Sequence, residues 1–298
     1  RDDRWATISM EAAPSARYAA SAVWTGKRVL IWGGTIVDED PGASYDPLND
    51  TWQPIAPCPF TVLGYGSFST WTGSRMLVFN SQVARGASYD PESDVWSAMS
   101  TNGAPNTLYG SAVWTGKCWI LWGGQALPGN GLQKVNTGAI YDPANDTWTP
   151  TSTLGAPIAR QDQSALWTGS RMLIWGGTAP IAAGSDQFYQ VADGGLYDPE
   201  TDTWQALSVP AQLQVPTLDA TASSTGSSLL FWGGFAGDNY AQHGVRFDLS
   251  DSSWTALAVL HQPLLRVSPR SVWTGVEMLV WGGFAASDDL ASGARYFP

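Results

Sequence analysis

Residues Trp24-Thr25-Gly26-Lys27-Arg28-Val29-Leu30-Ile31-Trp32-Gly33-Gly34 read as a strand end, a tight polar turn, a second apolar strand and a Gly-Gly stop. The stretch returns as Trp71-Thr72-Gly73 to Phe79, Trp114-Thr115-Gly116 to Gly124, and Trp167-Thr168-Gly169 to Gly177. Two further copies run from Ser224-Thr225-Gly226 to Gly234 and from Trp273-Thr274-Gly275 to Gly283. Glycine accepts positive φ in such a turn, so Thr-Gly predicts a hairpin. The segment Val29–Trp32 is continuously apolar and should be covered on both faces.

A second stretch follows each Gly-Gly. It reads Gly42-Ala43-Ser44-Tyr45-Asp46-Pro47-Leu48-Asn49-Asp50-Thr51-Trp52, with relatives ending at Trp96, Trp148, Trp204 and Trp254. The last copy stops at Tyr296-Phe297-Pro298, and its missing Asp-x-Trp piece stands at the other end of the chain as Asp3-Arg4-Trp5. Counted from Trp5, these tryptophans are 47, 44, 52, 56 and 50 residues apart. That is the range of a propeller blade. Each repeat therefore predicts four short antiparallel strands, a to d, with Asp-Pro-x-x-Asp as the c–d turn. No stretch has helical spacing over a useful length.

The Gly-Gly after strand b, the Tyr-Asp after strand c and the Trp six residues beyond that Asp resemble the kelch repeat, over essentially the whole chain. The resemblance implies an all-β fold: a six-bladed kelch-like β-propeller of four-stranded antiparallel blades, residues 1–298 forming one domain. The blades are expected near 17–53, 64–97, 107–149, 160–205, 217–255 and 266–298. Residues 1–10 would supply the outer strand of the last blade and close the ring. Sixteen of the 17 tryptophans fall at three repeated positions and read as inter-blade core, with Trp119 the exception. Two positions depart from the pattern: Phe79-Asn80-Ser81 replaces Trp-Gly-Gly, and Ser224 replaces the strand-a Trp.

Composition narrows the partners. The formal net charge is -11 and there are three lysines, Lys27, Lys117 and Lys134. Such a surface repels phosphate backbones, so nucleic acid is not expected. No apolar run is long enough to cross a bilayer as a helix, and no membrane partner is expected. Cys58 and Cys118 lie in no C-x-x-C pair, and no disulfide between them is expected. The chain starts at Arg1, and a secreted or periplasmic monomer is expected.

A repeat fold does not name a function, so the site is read separately. The a–b and c–d turns are short and regular. The irregular sequence lies in the b–c loops, 35–41, 82–85, 125–137, 178–193, 235–243 and 284–292, on the face shared with the d–a linkers. Variable loops on a rigid scaffold carry binding. Aligning the repeats on the strand-a Trp puts Arg17, Arg160 and Arg266 at one lead-in position. Tyr18 and Tyr65 stand at the next, and Tyr109, Asp162 and Asp219 at the one after. The arginines could clamp a carboxylate or sulfate; the resemblance also implies that an Arg there can serve inter-blade bonding. Asn80 adds a polar group at the same mouth.

The expected function is a ligand- or protein-binding module, taking a peptide or an acidic carbohydrate between these residues. One alternative is a small-carbohydrate-active enzyme of the epimerase, mutarotase or lyase type, with Asp162, Asp219 and His243 as acid/base candidates. The other is a structural or engineered scaffold without a small ligand. Two histidines, His243 and His261, do not make a metal site, and no metal or cofactor is expected. The kelch-like copper radical oxidases need a Tyr-His pair, and this chain has none.

Overall fold

The computed structural model describes residues 9–15, 21–33, 42–60, 67–81, 83–126, 133–182, 185, 187–207, 218–267, 269–281, 283–285, 288–289 and 293–298. Among these there is no helix. They belong to two compact units. One holds Arg1–Leu108, Gly116–Trp119 and Tyr141–Thr149; the other holds Tyr109–Thr115, Ile120–Ile140 and Pro150–Pro298.

Five sheets are four-stranded and run a-b-c-d in spatial order. They comprise Ser21–Trp24, Val29–Trp32, Ala43–Asp46 and Thr51–Pro54 in repeat one, and Ser67–Trp71, Met76–Asn80, Arg85–Asp90 and Val95–Met99 in repeat two. Repeat three has Ser111–Trp114, Trp119–Trp122, Gly138–Asp142 and Thr147–Pro150. Repeat four has Ser164–Trp167, Met172–Trp175, Gly194–Asp198 and Thr203–Leu207; repeat five has Thr221–Ser224, Ser228–Trp232, Val245–Asp248 and Trp254–Ala256. Repeat six is three-stranded among the described residues: Arg270–Trp273, Met278–Trp281 and Gly293–Tyr296. The strands meet where the two stretches require. In repeat one, Ser21 faces Trp32 and Tyr45 faces Trp52.

The turns form as their chemistry dictates. The hydroxyl oxygen of Thr25 accepts the Arg28 N–H at 2.9 Å, and Thr72, Thr168 and Thr225 do the same three residues ahead. Gly26 sits at φ 91°, with open space where a Cβ would go; the left-handed backbone alone selects glycine.

The Asp-Pro-x-x-Asp turn uses its two carboxylates differently. Asp46 caps its own turn through the Leu48 N–H at 2.9 Å. Asp50, at φ 52°, accepts the Tyr45 hydroxyl at 2.8 Å and the backbone N–H of Ser9, 41 residues earlier, also at 2.8 Å. The Trp52 indole then donates to the Ser9 carbonyl at 2.8 Å. This Tyr–Asp–Trp latch recurs: Tyr89, Asp94 and Trp96 hold Ala56. Tyr141, Asp146 and Trp148 hold Ser100, and Tyr197, Asp202 and Trp204 hold Ser152. In the last three cases a repeat grips the segment that leaves the outer strand of the repeat before it. Repeat five has Phe247 and Ser252 at the Tyr and Asp positions, so it lacks both groups of the pair.

The core lies between consecutive sheets. Leu30, Trp32, Met76, Val78 and Tyr89 make one cluster; Leu173, Trp175, Leu196, Phe231 and Phe247 make another; Leu230, Trp232, Leu257, Met278 and Val280 a third. Four of the outer-strand tryptophans are wedged between two rings, and Trp52 packs on Tyr45 at 4.8 Å. Trp96 lies 4.9 Å from Tyr89 of its own repeat and 5.6 Å from Trp32 of the repeat before. Trp148 is wedged by Tyr141 and Phe79, Trp204 by Tyr197 and Trp122, and Trp254 by Phe247 and Trp175. Removing such a ring costs about 3–5 kcal/mol. The strand-a tryptophans differ from the expectation of uniform core: Trp24 is 51% exposed, and Trp71, Trp114, Trp167 and Trp273 are only half-buried. They end their strands, where the neighbouring sheet no longer covers them.

Cys58 and Cys118 are free, and burial pushes the Cys58 thiol up to about 11.

Asp50 and the turn aspartates titrate. The Ser9 N–H and then the Tyr45 hydroxyl hold the Asp50 carboxyl below 3.8, and turn hydrogen bonds do the same for Asp46, Asp90, Asp142 and Asp248. The unfolded chain therefore takes up more protons as pH falls through 4, so this stability is present above about pH 5 and is lost below it. Thermal melts between about pH 5 and pH 3 should show a falling midpoint. Asp50→Asn, which keeps an oxygen for the Ser9 N–H but cannot titrate, should flatten that slope; an unchanged slope would discount Asp50.

Candidate functional site

After strand b the chain does not enter an irregular loop, as its sequence suggested. In the second unit it turns into a second, smaller hairpin. The pairs are Gln125–Ala126 with Gln133–Lys134, Thr178–Pro180 with Phe188–Gln190, Phe235–Ala236 with Asn239–Tyr240, and Phe284–Ala285 with Asp288–Asp289. The lead-in to strand a pairs beside three of them, Gln161 with Thr178, Leu218 with Phe235 and Val267 with Phe284. The Gly-Gly stop makes this possible. A Cβ on Gly177, at φ 90°, would lie 2.4 Å from the Gln161 carbonyl oxygen, and one on Gly234 2.3 Å from that of Leu218. Only glycine lets the two backbones approach.

Arg160 organises the necks of two of these hairpins. Its side chain is fully buried. Nε donates to the Ile158 carbonyl at 3.0 Å, Nη1 to the carbonyls of Gly176 and Asp193 at 3.1 and 3.0 Å, and Nη2 to the Asp193 carboxylate at 2.5 Å. Its backbone ties the preceding hairpin: the carbonyl accepts from Gly124, and the N–H donates to Val135. Arg266 is 1% exposed, donates from Nε to the Leu264 carbonyl at 2.8 Å, and lies over the Trp232 ring at 6.0 Å. Burial lowers the pKa of both arginines, against the Asp193 carboxylate in the case of Arg160. The expected outward-facing anion clamp is absent at these two positions: the guanidinia brace the backbone. Asn80 is likewise buried at 1%, its amide on the Ser67 hydroxyl and its oxygen accepting the Val83 N–H. It closes its own turn. Arg17, Tyr18 and Tyr65 lie outside the described residues.

Tyr109, Asp162 and Asp219 do occupy equivalent places. All three take left-handed backbone, at φ 57°, 57° and 54°. Asp162 donates its N–H to the Tyr109 carbonyl at 3.2 Å, and its Oδ2 accepts from the Gln161 amide at 2.7 Å. Tyr109, Asp162 and Asp219 are exposed. His243 is half-buried, and its Nε2 has no hydrogen-bond partner among the described residues. Among those residues, no group of His, Cys, Asp and Glu could hold a metal ion.

The sequence reading missed the side chains that give the rim its character. Phe188 is 62% exposed and Tyr189 47%. The Lys134 ammonium stands 4.6 Å from the Phe188 ring centroid; desolvation lowers its pKa while Asp162 opposes the shift. Phe235 and Tyr240 stack at 5.4 Å and 18°. Apart from Phe235, which follows Gly-Gly as Phe284 does, these residues have no counterpart in the other repeats, so alignment of the repeats could not find them. A separate groove of about 280 Å³ lies along the outermost described strand of repeat six, lined by Trp232, Leu257, Leu260, Met278, Tyr296 and Phe297 among others.

A family model described as "KLHDC2/KLHL20/DRC7 Kelch-repeats domain" matches residues 109–293.

Proposed function

The chain belongs to the kelch-repeat family, and from that premise we propose that it is a protein-binding module whose partner docks on the rim of b–c hairpins. The carrying observation is the exposure of Phe188 and Tyr189 on a hairpin whose neck is braced by Arg160, and of Tyr109 on the lead-in turn whose carbonyl accepts the Asp162 N–H. Large aromatic side chains held by a stiff scaffold are the usual anchors of protein recognition. To test this, the protein is used to retain partners from an extract of its source cells. Tyr109→Ala/Phe188→Ala/Tyr189→Ala should lose what wild type retains, and Lys27→Ala/Lys117→Ala, on the a–b turns, should keep it. Equal retention by both variants would refute the location.

We further propose that the six sheets are blades of one closed ring, residues 1–298 forming a single domain, with residues 1–8 supplying the fourth strand of repeat six. Two observations support this. Ser9 is gripped by Asp50 and Trp52 in the manner of Ala56, Ser100 and Ser152, each of which follows an outer-strand Trp by four residues. Ser9 follows Trp5 by the same interval. By analogy with the wedge series, Trp5 would stand between Tyr296 and Trp232, both of which line the 280 Å³ groove.

A further inference from the structure

We infer that the segment received by the hairpin rim is basic, carrying arginine beside apolar residues; this rests on the rim being the docking face. Three observations lead there. First, the aromatic faces are exposed, and Phe188 already holds a cation, the Lys134 ammonium at 4.6 Å. A guanidinium suits such a face better, being planar and weakly hydrated. Second, the described charges of the rim are one-sided. Across the hairpins and their lead-in turns the aspartates with described side chains are Asp162, Asp193, Asp219 and Asp238, and among the described side chains there, apart from buried Arg160 and Arg266, the one lysine or arginine is Lys134. Asp193 keeps its side chain 52% exposed even while bonded to Arg160. Third, the groups that would receive an acidic ligand are committed elsewhere. Arg160 and Arg266 are 0% and 1% exposed, and turning Arg160 outward would break four hydrogen bonds. An acidic peptide or sugar would meet carboxylates instead.

The rim then works as a divided surface. Phe188, Tyr189 and Ile181, the last 60% exposed, take apolar and stacking contacts. Asp162 and Asp219 take the charge. Lys134 acts against the partner, since it covers one face of Phe188 and repels the incoming cation.

That opposition makes the inference testable. Fluorescein-labelled decapeptides of Arg/Leu, Glu/Leu and Ser/Leu composition are titrated by anisotropy against wild type, Phe188→Ala, Asp162→Asn/Asp219→Asn and Lys134→Ala. All four positions are on the rim surface, and unchanged melting midpoints verify the fold. The Arg/Leu peptide should bind best and weaken as salt is raised. Phe188→Ala and the double Asp variant should each weaken it about tenfold. Lys134→Ala should tighten it about threefold. Preference for the Glu/Leu or Ser/Leu peptide, or weaker Arg/Leu binding in Lys134→Ala, overturns the basic class; if Phe188→Ala still weakens the preferred peptide, the docking face stands. Arg/Leu binding indifferent to every rim variant overturns the docking face itself. Binding of no peptide overturns recognition of a linear segment.

Discussion

Replacing Arg160 by alanine is expected to lower stability by about 3 kcal/mol, the scale for stripping a buried charged group from its hydrogen-bonded partners. The substitution removes all four side-chain bonds at once. It takes the guanidinium donor from the Gly176 carbonyl, leaves the Asp193 carbonyl with the Gly176 N–H alone, and opens a void where a fully buried side chain stood. Arg160→Lys should not recover the loss, because one ammonium cannot reach Ile158, Gly176 and Asp193 together. Urea unfolding measures the effect as a shifted midpoint at constant slope. The Thr178–Gln190 hairpin should also lose amide protection first, since its neck is what the guanidinium holds. A variant of wild-type stability that has lost ligand binding would return Arg160 to the ligand-contacting role its position in the sequence suggested.

Deleting residues 1–10 is expected to cost at least as much, about 4 kcal/mol, if Trp5 closes the ring. The deletion removes two bonds to Ser9, at 2.8 Å from Asp50 and 2.8 Å from the Trp52 indole, and one wedge tryptophan. A double-mutant cycle isolates the closing contact. Trp5→Ala and Trp232→Ala should couple by about 1 kcal/mol, as an aromatic pair in contact does. Trp5→Ala and Trp122→Ala should add independently, because the Trp122 ring already has Trp204 as its partner, 5.4 Å away. A truncated chain melting with wild type, or zero coupling between Trp5 and Trp232, would remove residues 1–10 from the last sheet.

Rim and scaffold differ in how far they can change. Phe188, Tyr189 and Ile181 are exposed and contribute little to folding, so their substitution should alter binding alone. Arg160 and the Gly176-Gly177 pair hold the hairpin that presents them. Substitution there would confuse loss of fold with loss of site.

What could be read from the sequence was what repeats. The Thr-Gly hairpins, the Tyr-Asp-Pro-x-x-Asp turns and the outer-strand tryptophans answer to rules visible in the chain: a left-handed glycine, a carboxylate capping its own turn, a spacing of 44 to 56 residues. Even there the second aspartate exceeded its local meaning, because the bond from Asp50 to Ser9 spans 41 residues and joins one repeat to the segment before it. Tertiary structure alone decided the orientation of Arg160. Its number in the alignment placed it at the mouth, but a guanidinium on a long stem turns to whichever acceptors are nearest, and here those are carbonyls that the Gly-Gly turn brings beneath it. The same holds for Asn80, drawn back into its own turn, and for Phe188 and Lys134, which meet only because neighbouring hairpins lean together. Periodicity identifies the groups a fold must bury. Where a long polar side chain points depends on partners distant in sequence, and packing is what brings those partners near.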